Sequence, residues 1–382
     1  MIKKSIAQIP ITRPYMPAQK DFMQYAQRIW ENRWLTHGGP LVAELQETLK
    51  KRLQVQELVV FANGHLGLDC AMKALNLHDG EAITTPFTYI STSQALRMNG
   101  LKPIFCDIKE DTGIIDEEKI EPLITEKTKV IVPVHVYGFP CNYQRIQQIA
   151  DKYALKVVYD AAHTFGVTVD GKGIGTLGDA SMFSFHATKV FHTVEGGAVA
   201  FRDPELKEKL ISAKNFGMIA SGEVTSISFN AKMTELHAAM GLANLETLEW
   251  QIEQRRALVE HYLRRLSDIK GIRLCHWDDP KIKYNYAYFP VFFDEKLLGI
   301  GRDKIAEQLR KKYNILVRKY FYPLLSDFQC YCTQYDSRNT PIAKKISSQV
   351  LTLPLFVELE HEQIDYICDA ILEIIQAGSR IK

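Results

Sequence analysis

Short β-rich runs alternate with helical stretches from about residue 38 onwards. Leu41, Leu45, Leu49 and Leu53 recur at every fourth position, which predicts an amphipathic helix because these positions share one helix face. Further apolar runs predict strands at 58–61, 82–85, 103–105, 130–134 and 156–159, and periodic stretches predict helices at 64–77, 91–98 and 143–153. Such alternation favours an α/β fold, in which helices cover both faces of a mostly parallel sheet.

The pattern changes after about residue 233. Residues 233–266 keep a helical period with few breakers, and they predict one long helix. Beyond it, the sequence predicts strand structure at 286–293, a helix that begins near Asp303 and a C-terminal helix at 362–376. We therefore expect an N-terminal arm and a large domain in residues 1–245, followed by a smaller α+β domain in residues 246–382.

The length of 382 residues favours this two-domain organisation. With 47 basic and 45 acidic residues the formal net charge is +2, which gives no indication of a nucleic-acid or membrane-surface partner. The longest apolar stretches have the length of a strand, and no apolar signal core follows residues 1–5. We therefore expect neither a membrane span nor a secretory leader.

The cysteines indicate the redox environment. They are odd in number, scattered and without a CxxC pair, at positions Cys70, Cys106, Cys141, Cys275, Cys330, Cys332 and Cys368. A disulfide framework and a thiolate zinc site are therefore disfavoured, and no metal is expected. A reducing cytoplasm is the location that fits best.

One glycine-rich segment invites a different interpretation. Gly173, Gly175 and Gly178 spell GxGxxG, which holds a dinucleotide when a strand ends in the glycines and a helix begins on them. Here residues 180–185 follow, and their composition favours a strand instead of a helix. We therefore reject a dinucleotide site and expect a hairpin connection between two short strands. The sequence also lacks a GxxxxGK[ST] phosphate loop.

Three features follow predicted strands, where open α/β sheets place their ligands. Asp160 directly follows the strand at 156–159, where a carboxylate is suited to pair with a cationic ring nitrogen or, alternatively, to cap the next turn. Lys189 follows a β-rich run, where a desolvated amine forms an imine with an aldehyde, although most loop lysines are simply exposed. Residues 63–65 (Asn-Gly-His) open a helix, where backbone N–H groups bind an anion or Asn63 acts only as a cap.

Eight sequence blocks in a common order carry a resemblance to a known family. The blocks are WLTHGGP (34–40), PFTY (86–89), PVHVYG (133–138), DAAH (160–163), SFHATK (184–189), EGG (195–197), FNAKM (229–233) and RKYFYP (318–323). On these blocks the chain resembles the DegT/DnrJ/EryC1/StrS family of nucleotide-sugar aminotransferases over nearly its whole length. The resemblance implies the aspartate-aminotransferase-type (fold type I) architecture and pyridoxal 5'-phosphate as cofactor.

The resemblance also implies residue roles. Lys189 matches the lysine that holds the cofactor as a Schiff base, Asp160 the carboxylate that faces the pyridinium nitrogen, and Tyr89 an aromatic ring stacked on the cofactor. The implied phosphate contacts are the backbone amides of Gly64 and His65, the hydroxyl of Ser184, and Asn230. Because the family's asparagine reaches the phosphate of the neighbouring subunit, Asn230 implies a homodimer with two shared sites.

Three positions refine the comparison with the family. His65 stands where threonine is usual, so the backbone contact remains while a side-chain hydroxyl is lost. His163 stands where many members place a glutamine near the phenolic oxygen of the cofactor, and its tautomer is left open by the sequence. Lys189 argues against the dehydratase branch of the family, whose members have a histidine there.

The segment around Lys189 resembles enzymes that aminate C4 of a 4-keto-6-deoxyhexose nucleotide. We therefore expect transamination of dTDP-4-keto-6-deoxy-D-glucose with L-glutamate as donor, for a surface polysaccharide such as the O-antigen of lipopolysaccharide. Substrate contacts are expected at Thr36, His37, Arg318 and Tyr320, although core packing in the small domain is an equal alternative for the last. A C3 aminotransferase, a UDP- or GDP-linked 4-keto-sugar aminotransferase and a non-catalytic sensor with the same fold remain as alternatives.

Overall fold

The computed structural model describes residues 7–379, without the side chain of Ser379. Residues 1–6 and 380–382 lie outside the described part, including the segment 1–5 that was considered for a leader. The helices are, in chain order, α1 (Gln19–Asn32), α2 (Pro40–Leu53), α3 (Gly64–Ala74), α4 (Ile90–Met98), α5 (Tyr143–Lys152), α6 (Leu206–Ala213), α7 (Glu235–Leu245), α8 (Leu248–Leu266), α9 (Glu295–Leu298), α10 (Arg302–Tyr313), α11 (Pro341–Gln349) and α12 (His361–Ser379). The strands are β1 (Glu57–Phe61), β2 (Gly80–Thr84), β3 (Leu101–Phe105), β4 (Thr128–Ile131), β5 (Lys156–Asp160), β6 (Thr168–Val169), β7 (Lys172–Gly173), β8 (Ala180–Ser184), β9 (Gly197–Phe201), β10 (Ile272–Leu274), β11 (Ile282–Lys283), β12 (Phe289–Phe293) and β13 (Val350–Leu353).

A seven-stranded sheet with the order β1-β9-β8-β5-β4-β2-β3 organises the larger part of the fold. Its neighbouring strands are parallel except where β9 pairs with β1 and with β8. Leu58 and Val60 of β1 belong to a core that includes α2, α5 and α7, whereas Val59 and Phe61 belong to a core that includes α3, α4 and α6. Helices therefore cover both faces, and the predicted α/β fold is confirmed.

A second, antiparallel sheet has the order β10-β12-β13. Apolar residues of α8, α10 and α12 pack with it in a core of their own. Ile9 also belongs to this core, because it pairs with the chain after α10 through two backbone hydrogen bonds of 3.0 and 2.9 Å. The division into domains of residues 1–245 and 246–382 stays a prediction. Close to the predicted boundary, the chain bends at residues 246–247, between α7 and α8.

That bend contradicts the prediction of one long helix over 233–266. The structure has two helices instead, α7 and α8, which are separated by Glu246 and Thr247. The buried amide of Gln251 holds the bend, because it donates to the Asn244 carbonyl at 3.3 Å and to the Thr247 hydroxyl at 3.0 Å. Both bend residues are compatible with a helix, so the periodic pattern did not reveal the break.

No α-helix begins in the GxGxxG segment, as expected. Gly173 ends β7, a single turn of 3₁₀ helix follows at Ile174–Thr176, and β8 begins at Ala180. The connection is not a hairpin, however, because β7 pairs with β6 in a small third sheet whereas β8 lies in the central sheet. None of the described helices has the combination of length and apolar character that crossing a membrane requires.

Candidate active site

A cavity of about 370 Å³ lies where β5 and β8 end. The first turns of α3 and α4 also line it. Most of the predicted site residues meet there: Gly64, His65, Tyr89, Asp160, His163, Ser184, Lys189, Arg318 and Tyr320. The other three, Thr36, His37 and Asn230, do not line this cavity and are exposed on the surface.

Asp160 is the last residue of β5, and only 5% of it is exposed. Its Oδ2 accepts a hydrogen bond from the Thr92 hydroxyl at 2.7 Å, and its Oδ1 accepts one from the Ala162 N–H at 3.1 Å. Burial raises the pKa of the Asp160 carboxyl, while these hydrogen bonds and the charge of Lys189 oppose the rise. The carboxyl therefore caps the following turn and also borders the cavity, where a bound cation would stabilise its ionised form.

His163 is buried, and its Nδ1 accepts a hydrogen bond from the Tyr137 N–H at 3.1 Å. Because an acceptor nitrogen carries no proton, the neutral ring holds its proton on Nε2. Burial lowers the pKa of His163 well below its ordinary value, and the positive charge of Lys189 adds to this effect. The tertiary structure thus settles the tautomer that the sequence left open, and it leaves Nε2–H as a hydrogen-bond donor.

Lys189 lies in the turn after β8, where its N–H bonds to the His186 carbonyl at 2.9 Å. The side chain is half-buried and lines the cavity, so it is not a freely exposed loop lysine. Its Nζ donates a hydrogen bond to the Tyr288 hydroxyl at 3.3 Å and lies 5.8 Å from the centre of that ring. The amine is thereby held at the cavity wall close to Asp160 and His163, which line the same cavity.

The N-terminus of α3 lies at the cavity. Asn63 caps the helix, and its Oδ1 accepts a first-turn N–H at 2.9 Å. The N–H groups of Gly64 and His65 open this turn and have no carbonyl within their own helix, so with the helix dipole they attract an anion. A Cβ on Gly64 would lie 2.9 Å from Met182 Sδ and 3.0 Å from Ser184 Cβ, so a side chain has no room there. The interpretation of Asn63 as a cap is therefore confirmed, and anion binding at residues 63–65 stays a prediction.

A second helix N-terminus, that of α4, borders the same cavity. Tyr89 occupies its N-cap position and is 51% exposed, so its ring is available to a ligand. Ser91, in the first turn, has its Oγ 2.9 Å from Nδ1 of His65. The histidine that stands in place of the usual threonine is thus joined by a hydrogen bond to the neighbouring helix.

Arg318 and Tyr320 form the side of the cavity that comes from the C-terminal part of the chain. The Arg318 guanidinium is exposed and lies 4.5 Å from the centre of the Tyr320 ring. Backbone hydrogen bonds of 3.2 and 2.8 Å between Arg318 and Thr352 hold this segment in place. Tyr320 is buried in a core that contains residues of both parts of the chain, so it packs in the core and also lines the cavity, and its role as a substrate contact stays a prediction.

Two residues that bind predicted site residues, Thr92 and Tyr288, were missed from the sequence. Thr92 of α4, which binds Asp160, lies four positions after Thr88, and their hydroxyls are 3.0 Å apart. Two threonines on either side of Tyr89, a predicted site residue, were the available signal. Tyr288 offered no such signal, since it lies 99 positions from Lys189 in an apolar run.

The predicted residues outside the cavity belong to a basic surface region. Burial lowers the pKa of His37, and the charges of Lys232 and Lys214 lower it further. Desolvation likewise lowers the pKa of Lys214 to about 8. Lys232 donates to Asn215 Oδ1 at 2.8 Å, and Asn215 forms a β-bridge with Asn230. Asn230 and His37 therefore belong to one surface that carries positive charge.

Comparison with known proteins agrees with this geometry. The sequence model of the DegT/DnrJ/EryC1/StrS aminotransferase family matches residues 17–372. The chain belongs to this family. It is therefore an aminotransferase, as expected from its motifs, and pyridoxal phosphate is its cofactor.

Individual relatives resemble the chain over nearly its full length. The dTDP-4-amino-4,6-dideoxy-D-glucose transaminase of Shigella dysenteriae is 41% identical over 364 residues, which cover 95% of this chain and 98% of the relative. The Escherichia coli transaminase of the same name is 40% identical over 367 residues, with coverage of 95% and 98%. The structure of DesI in the presence of its TDP-sugar product matches with a TM-score of 0.92 at 32% identity, over 98% of this chain and 95% of DesI. The similarity therefore includes both the large and the small parts of the fold.

Proposed function

We propose that this aminotransferase transfers an amino group from L-glutamate to C4 of dTDP-4-keto-6-deoxy-D-glucose and forms dTDP-4-amino-4,6-dideoxy-D-glucose. The observation that carries the proposal is the meeting of Lys189, Asp160 and His163 in one cavity, beside the N-terminus of α3. Two relatives at 40% identity or above are named for this sugar nucleotide, which supports the choice of substrate. The product would serve the synthesis of a surface polysaccharide such as O-antigen.

The residues present fit the cofactor of the family. The amides of Gly64 and His65 and the hydroxyl of Ser184 would hold its phosphate, because they line one end of the cavity and a helix begins there. The Asp160 carboxyl would face the ring nitrogen, and Tyr89 would stack on the ring. When bound, pyridoxal phosphate supplies an electron sink for the bond that breaks at the amino donor.

The chain's own groups then manage charge and protons. Lys189 is the general base, because its amine borders the cavity and takes the proton that leaves the carbon bearing the amino group. Asp160 stays ionised beside a ring cation and keeps the ring nitrogen protonated. His163 donates a hydrogen bond from Nε2, since its Nδ1 is engaged by the Tyr137 N–H. With the keto-sugar the same groups act in the reverse sense.

The nucleotide-sugar would enter past Arg318 and Tyr320. The exposed guanidinium of Arg318 suits a diphosphate, which it can bind through two parallel hydrogen bonds. The ring of Tyr320 lies directly beneath it and supports its orientation. We propose these two residues as substrate contacts on the basis of this geometry.

The proposed function also includes a homodimer with shared sites. Thr36, His37 and Asn230 lie outside the cavity of their own chain, so each would act in the site of the neighbouring subunit. Large apolar side chains exposed on the single chain favour burial against a second copy. They include Trp30 (68% exposed), Trp34 (49%), Leu35 (62%), Phe216 (48%) and Ile227 (95%).

We further propose that the reaction takes place in the cytoplasm. All seven cysteines are free in the structure, and five of them are buried. Free, unpaired cysteines are typical of a reducing compartment.

The first experiment is an absorption spectrum of the purified protein supplied with pyridoxal phosphate, before and after addition of L-glutamate. The wild type and the exposed-lysine control Lys304→Ala should show a covalently bound cofactor that glutamate converts to its aminated form. Lys189→Ala should bind the cofactor without the covalent band and should not transaminate. A wild type that glutamate leaves unchanged would contradict L-glutamate as donor, and a wild type without any covalent band would contradict the role of Lys189.

The sugar is then identified with the aminated enzyme. Keto-sugars linked to dTDP, UDP and GDP, with the keto group at C3 or C4, are offered separately, and the products are analysed by mass spectrometry and NMR. We expect turnover with the dTDP-linked 4-keto sugar and an amine at C4. Preferential turnover of another member of the set would replace the proposed substrate.

A further inference from the structure

Tyr288 contacts the catalytic lysine from a position outside the family motifs. It directly precedes β12, and its hydroxyl oxygen accepts the hydrogen bond from Lys189 Nζ at 3.3 Å. Its ring lies 4.6 Å from the His163 ring, measured between centroids, at an interplanar angle of 54°. Tyr288 therefore contacts two of the three residues that carry the proposed chemistry.

The ring of Tyr288 is itself held in place. It packs beside the buried Tyr320 ring, and the two ring centroids are 5.5 Å apart. Burial raises the pKa of Tyr288 to about 12, so the phenol remains protonated at neutral pH. A neutral phenol accepts a hydrogen bond from an ammonium group and donates one to a free amine. The same oxygen therefore serves Lys189 in both of its protonation states.

We propose that Tyr288 is a positioning residue of the active site, whose ring packs beside Tyr320 and whose hydroxyl aims the Lys189 amine at the proton that it must move. The proposal rests on the proposed role of Lys189 as general base. A lysine side chain has several rotatable bonds, and a base is effective only when its nitrogen lies within hydrogen-bond reach of the reacting proton. An anchor at the amine removes most of this freedom before the substrate arrives.

Tyr288→Phe tests the proposal, because it removes the hydroxyl and keeps the ring packing. In the half-reaction with L-glutamate, we expect the rate to fall about 10- to 100-fold, while the glutamate concentration for half-maximal rate stays within about twofold. The effect of deuterium at Cα of glutamate on the rate should increase, since proton transfer becomes more rate-limiting. Tyr286→Phe is the matched control, because Tyr286 is half-buried two positions away and packs against Trp277 and Tyr284.

A second readout does not depend on activity. Lys189 of the cofactor-free protein is acylated with an N-hydroxysuccinimide ester, and modification is followed by peptide mass spectrometry. Without the Tyr288 hydroxyl the amine loses its hydrogen-bond partner, so we expect its acylation to accelerate several-fold in Tyr288→Phe and not in Tyr286→Phe. Tyr320→Leu, which removes the ring that packs beside Tyr288, should change both readouts in the same direction by a smaller factor.

The outcomes are distinguishable. If wild type reacts with glutamate, and Tyr288→Phe and Tyr320→Leu match it in rate, isotope effect and acylation, the positioning role is overturned and the proposed function stands. If Tyr288→Phe fails to fold, Tyr320→Leu decides the same question. If wild type itself does not react with glutamate, the proposed function fails, and the positioning role falls with it.

Discussion

Asp160 has a proposed catalytic role, and its burial carries an electrostatic cost for the stability of the fold. Burial raises its pKa above the ordinary value of 3.8, so the folded chain binds this proton more tightly than the unfolded chain does. The free energy of unfolding therefore decreases as the pH rises through the interval between the two pKa values. Above that interval the buried charge of Asp160 lowers the stability of the fold, which is typical of a functional group.

Asp160→Asn should separate these two effects. We expect the cofactor-free variant to unfold at a higher urea concentration than wild type at pH 7, because the buried charge is gone. The half-reaction with glutamate should slow by on the order of 10²- to 10³-fold, because the ring nitrogen loses its charged partner. Urea unfolding and stopped-flow absorption measure the two quantities.

Asp107→Asn is the matched control for this prediction. Asp107 is also buried, but its two oxygens accept the N–H groups of Ala343 at 2.8 Å and Ile342 at 3.1 Å, and Lys119 lies 3.3 Å away. Its replacement should lower stability and leave the half-reaction intact. If Asp160→Asn is destabilised as much as Asp107→Asn, the electrostatic cost assigned to Asp160 is wrong.

His135 makes stability depend on pH in the opposite direction. Burial lowers its pKa from 6.5 to about 3, and its Nδ1 accepts the Cys141 N–H at 3.0 Å. Between these pKa values the unfolded chain binds the proton and the folded chain does not, so the free energy of unfolding falls as the pH falls below 6.5. The slope is up to about 1.4 kcal/mol per pH unit for one such histidine.

Denaturant unfolding between pH 6.5 and 5 measures this slope. His135→Gln should flatten it, because one buried neutral histidine is removed, whereas His78→Gln should not, since His78 is exposed. Equal slopes in wild type and His135→Gln would show that another group causes the acid sensitivity.

At the scale of elements, a single carboxylate connects helices α2 and α7. Glu235, in the first turn of α7, is fully buried, and its two oxygens accept the N–H groups of Leu41 at 2.9 Å and Val42 at 2.8 Å. Its own N–H donates to the Leu35 carbonyl at 3.1 Å. Glu235 therefore caps α2 and also fixes the segment that carries Thr36 and His37.

Glu235→Gln should lower the free energy of unfolding by about 1–3 kcal/mol, because one of the two charged hydrogen bonds is lost and an amide N–H faces a backbone donor. Chemical denaturation measures the change. The control Glu249→Gln should stay within about 0.5 kcal/mol, since the ion pairs of Glu249 with Arg52 and Lys283 are on the surface. If Glu235→Gln lowers the free energy of unfolding no more than Glu249→Gln does, the capping role assigned to Glu235 is wrong.

At the scale of the whole molecule, the proposed shared sites predict complementation between inactive subunits. Lys189→Ala removes the base of a site, and Asn230→Ala removes the residue that would reach the neighbouring site. After the two variants are unfolded and refolded together, about half of the dimers are mixed, and each mixed dimer has one intact site of two. We therefore expect activity to recover to about a quarter of wild type.

Activity of the refolded mixture and the molar mass of the particle measure this prediction. If Asn230 acted within its own chain, every site of a mixed dimer would carry one defect, and no activity would return. A monomeric particle with full activity would contradict the shared site as well. Refolding each variant with itself provides the baseline.

The sequence by itself determined the class of fold, the family and most of the cavity. The helical spacing of apolar residues predicted α2 and α5, and a short apolar run predicted β1, each close to its observed bounds. These elements are readable because each is specified by residues that are neighbours along the chain. The motifs around Asp160 and Lys189 follow β5 and β8, and the carboxyl ends of parallel strands bring such residues together.

Only the tertiary structure decided the rest, because packing between distant segments leaves no local pattern. The bend at 246–247 depends on Gln251 reaching back to Asn244, and the tautomer of His163 depends on the N–H of Tyr137. The contact between Lys189 and Tyr288 joins positions 99 residues apart. Each of these features arises when separate elements meet, whereas a sequence pattern records only what one element requires of its own residues.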